Sequence, residues 1–280
     1  MMGIPQAPNG GRKMNTMVSD YDFIIENIHF SYSSVNTFDT CAYSFKMTYI
    51  DKMPRANNFF GEYGTFVHEC MEKYFLDELE PFELSGYYRN NYSERVVTPA
   101  PPYPVGMADR YFNEGAEFFD SFSFDKNDYE IVQVEGTLDF ALPVTDGIFT
   151  GRPDLVMRNR KTGKLGLFDF KTSRPFWNDK FSGDLKTDKK KMKGYHTQMF
   201  VYTYGLRKQY GMQIDEITLW FTRPSRLVTI PWDSVKEKEA IDHIESLIKR
   251  IKNENEFPYN NKSTYFCDNL CSVRQFCEYR

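Results

Sequence analysis

Apolar residues fall into two rhythms along the chain, one of helical spacing and one of alternation. Val35, Phe38, Ala42 and Phe45 recur every three or four residues, which predicts a helix that contains Cys41 and that Ser33 or Ser34 would cap. Phe66, Val67, Cys70, Met71, Tyr74 and Phe75 repeat the pattern more densely, with Gly61 and Gly64 loosening the entry and Thr65 as a cap. Further helices are predicted from about Ala108 to Phe122, from Tyr195 to Lys208, and after Asp233 or Ser234, where Ile241, Ile244, Ile248 and Ile251 form an apolar stripe. Strand character marks Glu130 to Leu142, Gly151 to Lys171, and the segments EITLWFTRP and RLVTIPW. This order predicts an α/β protein with a mixed central β-sheet flanked by helices. Two stretches lack either rhythm. Residues 1–20 carry Gly, Pro and Asn without apolar periodicity, so a flexible amino-terminal arm is expected over residues 1–28. Pro81 to Pro104 reads as a long loop or small insertion.

The stretch from Gly151 to Lys171 carries the densest chemistry. A tight turn centred on Thr162 and Gly163 would set Lys161 opposite Lys164 and Asp154 opposite Lys171. Side chains alternate along a strand, so Asp169 and Lys171 share one face and the pairing adds Asp154 to it. Two carboxylates suit Mg2+ or Mn2+, and an adjacent lysine could orient or polarise water. Glu135, on the preceding strand, could join that face or stand as a solvated edge residue. His68 lies on the second predicted helix with Glu72 one turn later; a lone helical histidine is more often structural than a ligand. Lys186 to Lys193 holds five lysines and one aspartate. Such runs are usually solvated, but Lys189, Lys190 and Lys191 could track a phosphate backbone. Gln198 and Tyr202, four apart, are neighbours on a helix and could hydrogen-bond a base or a phosphate; Tyr202 could equally be core.

Composition narrows the partners less than the motifs do. A charged fraction of 26% and a hydrophobic fraction of 41% over 280 residues describe a soluble globular protein with a real core. A net charge of -4 weighs mildly against nucleic acid, so any such site has to be a local basic patch. No apolar run could span a bilayer and no signal-peptide core is present, which reads as an intracellular, cytoplasmic protein with no membrane partner. Disulfides are then not expected among the five cysteines. Cys70 reads as core. Cys267, Cys271 and Cys277 are too close together for ordinary core residues and call for a fourth ligand, for which Cys41 is the best candidate.

Together these residues resemble the RecB-like branch of the PD-(D/E)XK nucleases, and more narrowly its iron-sulfur members. SYSSVNTFDTCAYSFKMTYI contains the isolated first cysteine, GTFVHECMEKY the histidine helix, GRPDLV and FDFKTS the second and third motifs, and Gln198 with Tyr202 the Gln-x-x-x-Tyr helix. The tail departs by one residue, reading C-x3-C-x5-C. The resemblance implies a restriction-endonuclease-like core over residues 29–257, with residues 258–280 completing a small four-cysteine cluster subdomain with Cys41. It implies that His68, Asp154, Asp169 and the Phe170 carbonyl hold Mg2+ or Mn2+, that Lys171 is the catalytic lysine, and that Gln198 and Tyr202 lie beside DNA. Cys41, Cys267, Cys271 and Cys277 would hold a 4Fe-4S cluster, with Zn2+ as the alternative. The implied activity is DNA phosphodiester hydrolysis, as an exonuclease on single strands or ends. The contrasting expectation is a non-catalytic DNA-binding or scaffold subunit working with a helicase, recombinase or other protein.

Overall fold

The computed structural model describes residues 21–145, 147–178, 185–223, 225–259 and 263–279. Most of the expected amino-terminal arm, residues 1–20, lies outside them. Its last part is folded: α1 (Asp22–Glu26) buries Ile25, and Ile28 follows it into the main core.

The chain continues through β1 (Phe30–Ser31), α2 (Tyr32–Thr40), α3 (Ala42–Phe45) and a π-helical turn at Lys46–Ile50. Ser31, rather than Ser33 or Ser34, caps α2, and it forms a reciprocal capping box with Ser34. Cys41 does not lie inside one continuous helix. Its backbone is extended (φ -159°, ψ 107°) and breaks the helix into α2 and α3. Helix α4 (Phe59–Phe75) starts two turns earlier than its glycines suggest, because the Asn58 side chain accepts from Gly61 N at 3.0 Å. Thr65 is therefore interior. The expected loop after Pro81 is helix α5 (Pro81–Arg95): Pro81 occupies the first turn, where its missing N–H costs nothing, and Glu80 and Glu83 form a capping box. Helix α6 (Met107–Asp120) follows as expected.

Strands β2 (Tyr129–Val134) and β3 (Leu138–Ala141) replace the single strand read from Glu130 to Leu142. Glu135 breaks it with a left-handed backbone (φ +48°). Next come β4 (Ile148–Gly151), β5 (Leu155–Asn159), β6 (Leu165–Lys171), β7 (Phe176–Asn178), β8 (Leu185–Thr187), α7 (Lys189–Tyr210), β9 (Glu216–Phe221), β10 (Arg226–Pro231), α8 (Ser234–Lys252) and α9 (Thr264–Asn269). The main sheet runs β10-β9-β6-β5-β2; β6 and β9 are parallel and the other pairs antiparallel, while β1-β4-β3 and β7-β8 form two small sheets. The mixed sheet flanked by helices is therefore present.

Alternation along β5 and β6 divides two cores. Val156, Leu165 and Leu167 pack in the core that contains residues of α7 and α8, whereas Leu155, Met157, Phe168 and Phe170 pack in the one that contains α4, α5 and α6. Asp154, Asp169 and Lys171 share the parity of the first set. Among the described residues, no helix is long and apolar enough to cross a membrane.

Candidate active site

The β5–β6 hairpin has a different register from the expected one. Leu155 faces Phe168 and Arg158 faces Leu165, so extrapolation sets Asp154 toward Asp169 instead of Lys171. The cause is the turn. Asn159 N donates to Lys164 O at 2.9 Å, the Asn159 side chain accepts from Lys161 N and Thr162 N, and Gly163 closes the longer loop at φ +72°. Four loop residues in place of two slip the pairing by two positions. An even slip preserves face parity, so Asp154, Asp169 and Lys171 still converge.

Lys171 Nζ lies 2.6 Å from Asp169 Oδ2 and donates to Gln198 Oε1 at 3.0 Å. Gln198 Nε2 in turn donates to Tyr202 Oη at 3.2 Å. Tyr195, three residues before Gln198, was not singled out in the sequence; its ring lies 4.6 Å from the Lys171 ammonium and its hydroxyl 2.6 Å from Ser173 Oγ. The helical repeat was the signal that could have found it. Gly151 leaves room for this arrangement, because a Cβ there would stand 2.7 Å from the Tyr202 ring.

His68 reaches the strand ends from α4 on the other side of the sheet. Its Nε2 lies 2.8 Å from the Phe170 carbonyl and its Nδ1 3.5 Å from Asp154 Oδ2. The Phe170 carbonyl, expected as a metal ligand, is thus engaged by His68, while Phe170 N donates to Asp154 Oδ2 at 2.6 Å. His68, Glu135 and Asp154 bring ligand atoms within 4.8 Å of one another; Asp169 is outside that set and closer to Lys171. The nitrogen and two carboxylates suit Mn2+ or Mg2+. Glu135 is held over Asp154 by its own N–H, which donates to Asp154 O at 2.8 Å, and its carboxylate pairs with Arg152 at 2.6 Å. Arg152 too was missed in the sequence; its place two residues before Asp154 was the only signal.

Crowding sets the protonation of this cluster. Burial raises Asp169 to about 6, with Lys171 opposing and Asp154 adding to the rise. Burial likewise raises Glu135 to about 7, reinforced by Asp154. For Asp154, burial is outweighed by His68, Lys171 and the Phe170 N–H, and the carboxyl stays below its ordinary range. Burial also opposes charge on His68 and Lys171, but the two aspartates overcome it, raising His68 to about 9 and moving Lys171 upward.

The lysine run is not a loop. Asp188 caps α7 by accepting from Lys191 N, which makes Lys189, Lys190 and Lys191 its first turn. At 100° per residue they point in three directions. Lys191 shares the face of Tyr195 and Gln198, while Lys189 lies on the opposite one.

Four of the cysteines line a second cavity. Cys41, Cys267, Cys271 and Cys277 line one cavity beside Met47 and Val273, and all are free thiols. Cys271 Sγ lies 3.7 Å from Ser44 Oγ and Cys267 Sγ 3.3 Å from Tyr259 Oη. Among the described residues, no three cysteine sulfurs fall within 4.8 Å of one another, so a closed metal centre is not formed by these thiols as they stand. Cys70 is buried in the α4 core, as expected.

A family model described as the PD-(D/E)XK nuclease superfamily matches residues 29–278. No curated protein matches. Among solved structures, a "Putative exonuclease" from Eubacterium rectale is 13% identical, covering 92% of this chain and 91% of its own, at a TM-score of 0.47. The structure of SSO0001 is 16% identical, covering 71% and 80%, at a TM-score of 0.30.

Proposed function

Because this chain belongs to the PD-(D/E)XK nuclease superfamily, we propose that it is a Mg2+- or Mn2+-dependent deoxyribonuclease of the RecB-like, iron-sulfur kind, acting on single strands or DNA ends. The observation that carries the proposal is the meeting of Asp154, Asp169 and Lys171 on one face at the strand ends, with His68 and Glu135 completing the donor set.

In this reading His68, Glu135 and Asp154, with Asp169 beside them, would hold the divalent cation, whose chemistry would be charge compensation at the phosphate and a more acidic water. Lys171 positions the attacking water through its Nζ, which Asp169 and Gln198 hold in place. Its raised pKa keeps Nζ a proton donor at neutral pH, so it serves to orient the nucleophile and steady developing negative charge. Gln198 and Tyr202 offer an amide and a phenol to the nucleotide on that face, and Lys191 extends it toward the phosphate backbone.

Cys41, Cys267, Cys271 and Cys277 line one cavity and would supply the four thiolates that a 4Fe-4S cluster requires. A single Zn2+ with bonds of about 2.3 Å would draw the sulfurs closer together than a polynuclear cluster does. By the resemblance the cluster is the favoured occupant, and it would act as a clasp between the amino-terminal helices and the carboxyl-terminal tail. The process served is recombination, repair, replication or defence, in company with a helicase, recombinase or other protein.

Purified protein and its Lys171→Ala variant should be incubated with single-stranded, linear double-stranded and circular DNA, with Mg2+, Mn2+ or chelator. The parent is expected to cut in a metal-dependent manner and to favour ends. Binding without cleavage by the parent would point instead to a scaffold subunit, and equal cutting by Lys171→Ala would remove Lys171 from the mechanism.

A further inference from the structure

A groove of about 870 Å³ lies against the face of α7 opposite Lys171. Lys189, Lys193, His196 and Thr197 line it at helical spacing, whereas Lys191, Tyr195, Gln198 and Tyr202 occupy the other side of the same helix. Lys236 and His243 of α8 form the second wall. Val228 and Ile230, alternate residues of the edge strand β10, make the floor together with Met192 and Phe200.

Its charge stands out against the rest of the chain. Lys189, Lys193, Arg226 and Lys236 meet one acid, Glu239, in a protein of net charge -4. Arg226 lies over the Phe176 ring at 4.8 Å and Lys236 is 4.0 Å from Asp233, while Lys189 and Lys193 have no ion pair among the described residues. His196 Nε2 is buried there without a hydrogen-bond partner among the described residues.

We propose that this groove receives an acidic segment of a partner protein, whose aliphatic side chains lie on Val228 and Ile230 while its carboxylates meet the lysine rim. The rim supplies charge complementarity and the floor supplies apolar contact, the combination by which grooves take peptide segments. A nucleic-acid strand fits less well. Strand-binding grooves stack bases on aromatic faces, but Phe200 is buried and the Phe176 ring is already covered by Arg226 and the edge of Phe221. A strand threaded past Lys171 would also have to wrap around α7 to reach this side.

The test uses fluorescein-labelled synthetic peptides of about ten residues, each with several Glu or Asp around two or three Leu or Ile. Matched peptides with Lys for the acids, and a labelled oligothymidylate, are titrated alongside them. Anisotropy is read on the full chain and on Lys193→Glu/Lys236→Glu, with thermal melting and DNA cleavage as controls. Acidic peptides are expected to bind with micromolar affinity, weakened about tenfold or more in the double variant, while melting and cleavage stay unchanged. Should the double variant melt early, Lys193→Glu and Lys236→Glu are read singly. The proposal is overturned if no acidic peptide binds below about 1 mM, if Lys peptides bind as well, or if the variant binds undiminished. Oligothymidylate binding that falls in the variant would assign the groove to nucleic acid instead.

Discussion

The carboxylate site and the cysteine cavity each gather reactive side chains from distant parts of the chain, yet they are supported in opposite ways. Asp154, Asp169 and Lys171 sit at the ends of strands packed between two large cores, and His68 on a helix of one of them. Their partners are one another: Lys171 with Asp169 and Gln198, His68 with Asp154 and the Phe170 carbonyl. The cysteines come from the two ends of the chain and rest on a small cluster of Met47, Cys271 and Val273, edged by Tyr43 and Phe266. A site carried by the sheet can lose a charged group and keep its shape. A site carried by so little apolar burial would depend on the proposed cluster for its stability, since bound metal groups supply folding free energy.

That contrast can be broken most sharply at Asp169. Asp169→Asn keeps the shape of the side chain but removes the charge that holds Lys171, so the cleavage rate should fall about a thousandfold. The melting temperature should move by no more than about 5 °C; a large drop would show that the carboxylate site is structural. Cys271→Ser should give the reverse pattern. We expect the brown colour of anaerobically purified protein to be lost and stability to fall by about 3 kcal/mol, with cleavage declining only as the folded fraction does. A colourless parent would remove the iron-sulfur assignment.

A smaller effect is expected where packing and chemistry meet. Gly151→Ala drives a methyl against the Tyr202 ring, at a cost of about 1–3 kcal/mol, and should reduce cleavage more than DNA affinity by displacing Gln198 from Lys171. Unchanged kinetics would show that the Tyr202–Gln198 chain does not position the lysine.

The mildest test is pH. In the metal-free protein Asp169 at about 6, Glu135 at about 7 and His68 at about 9 all hold protons more tightly than in the unfolded chain. Their contribution to stability is full below their ordinary values and is lost as pH rises through the raised ones; lowered Asp154 works in the opposite sense, losing its contribution as pH falls. Divalent cations need those same groups deprotonated. The stabilisation by Mn2+, read from the rise in melting temperature, should therefore grow from pH 6 to pH 9, by about 1.4 kcal/mol for each pKa unit displaced. A Mn2+ effect independent of pH would place the cation elsewhere.

Local pattern was enough for β5, β6, β9 and β10 of the main sheet, for α6, α8 and the body of α7, and for the shared face of Asp154, Asp169 and Lys171, whereas β2 was read as running on into β3 and α7 starts at Lys189 instead of Tyr195. Alternation along a strand depends only on parity, which the two-residue slip at the Asn159 turn leaves intact. Helix starts were less legible, because Asn58 and Glu80 cap from outside the apolar repeat and outweigh the glycines and proline that seemed to break it. Only tertiary structure decided which donors meet. His68 and Glu135 approach Asp154 across the sheet, at distances set by how α4 and the left-handed turn at Glu135 pack, and no spacing along the chain encodes that. The same holds for the lysines, whose run in sequence becomes separate directions once Asp188 starts a helix, setting Lys191 on the face of Gln198 and Lys189 against the groove on the other side.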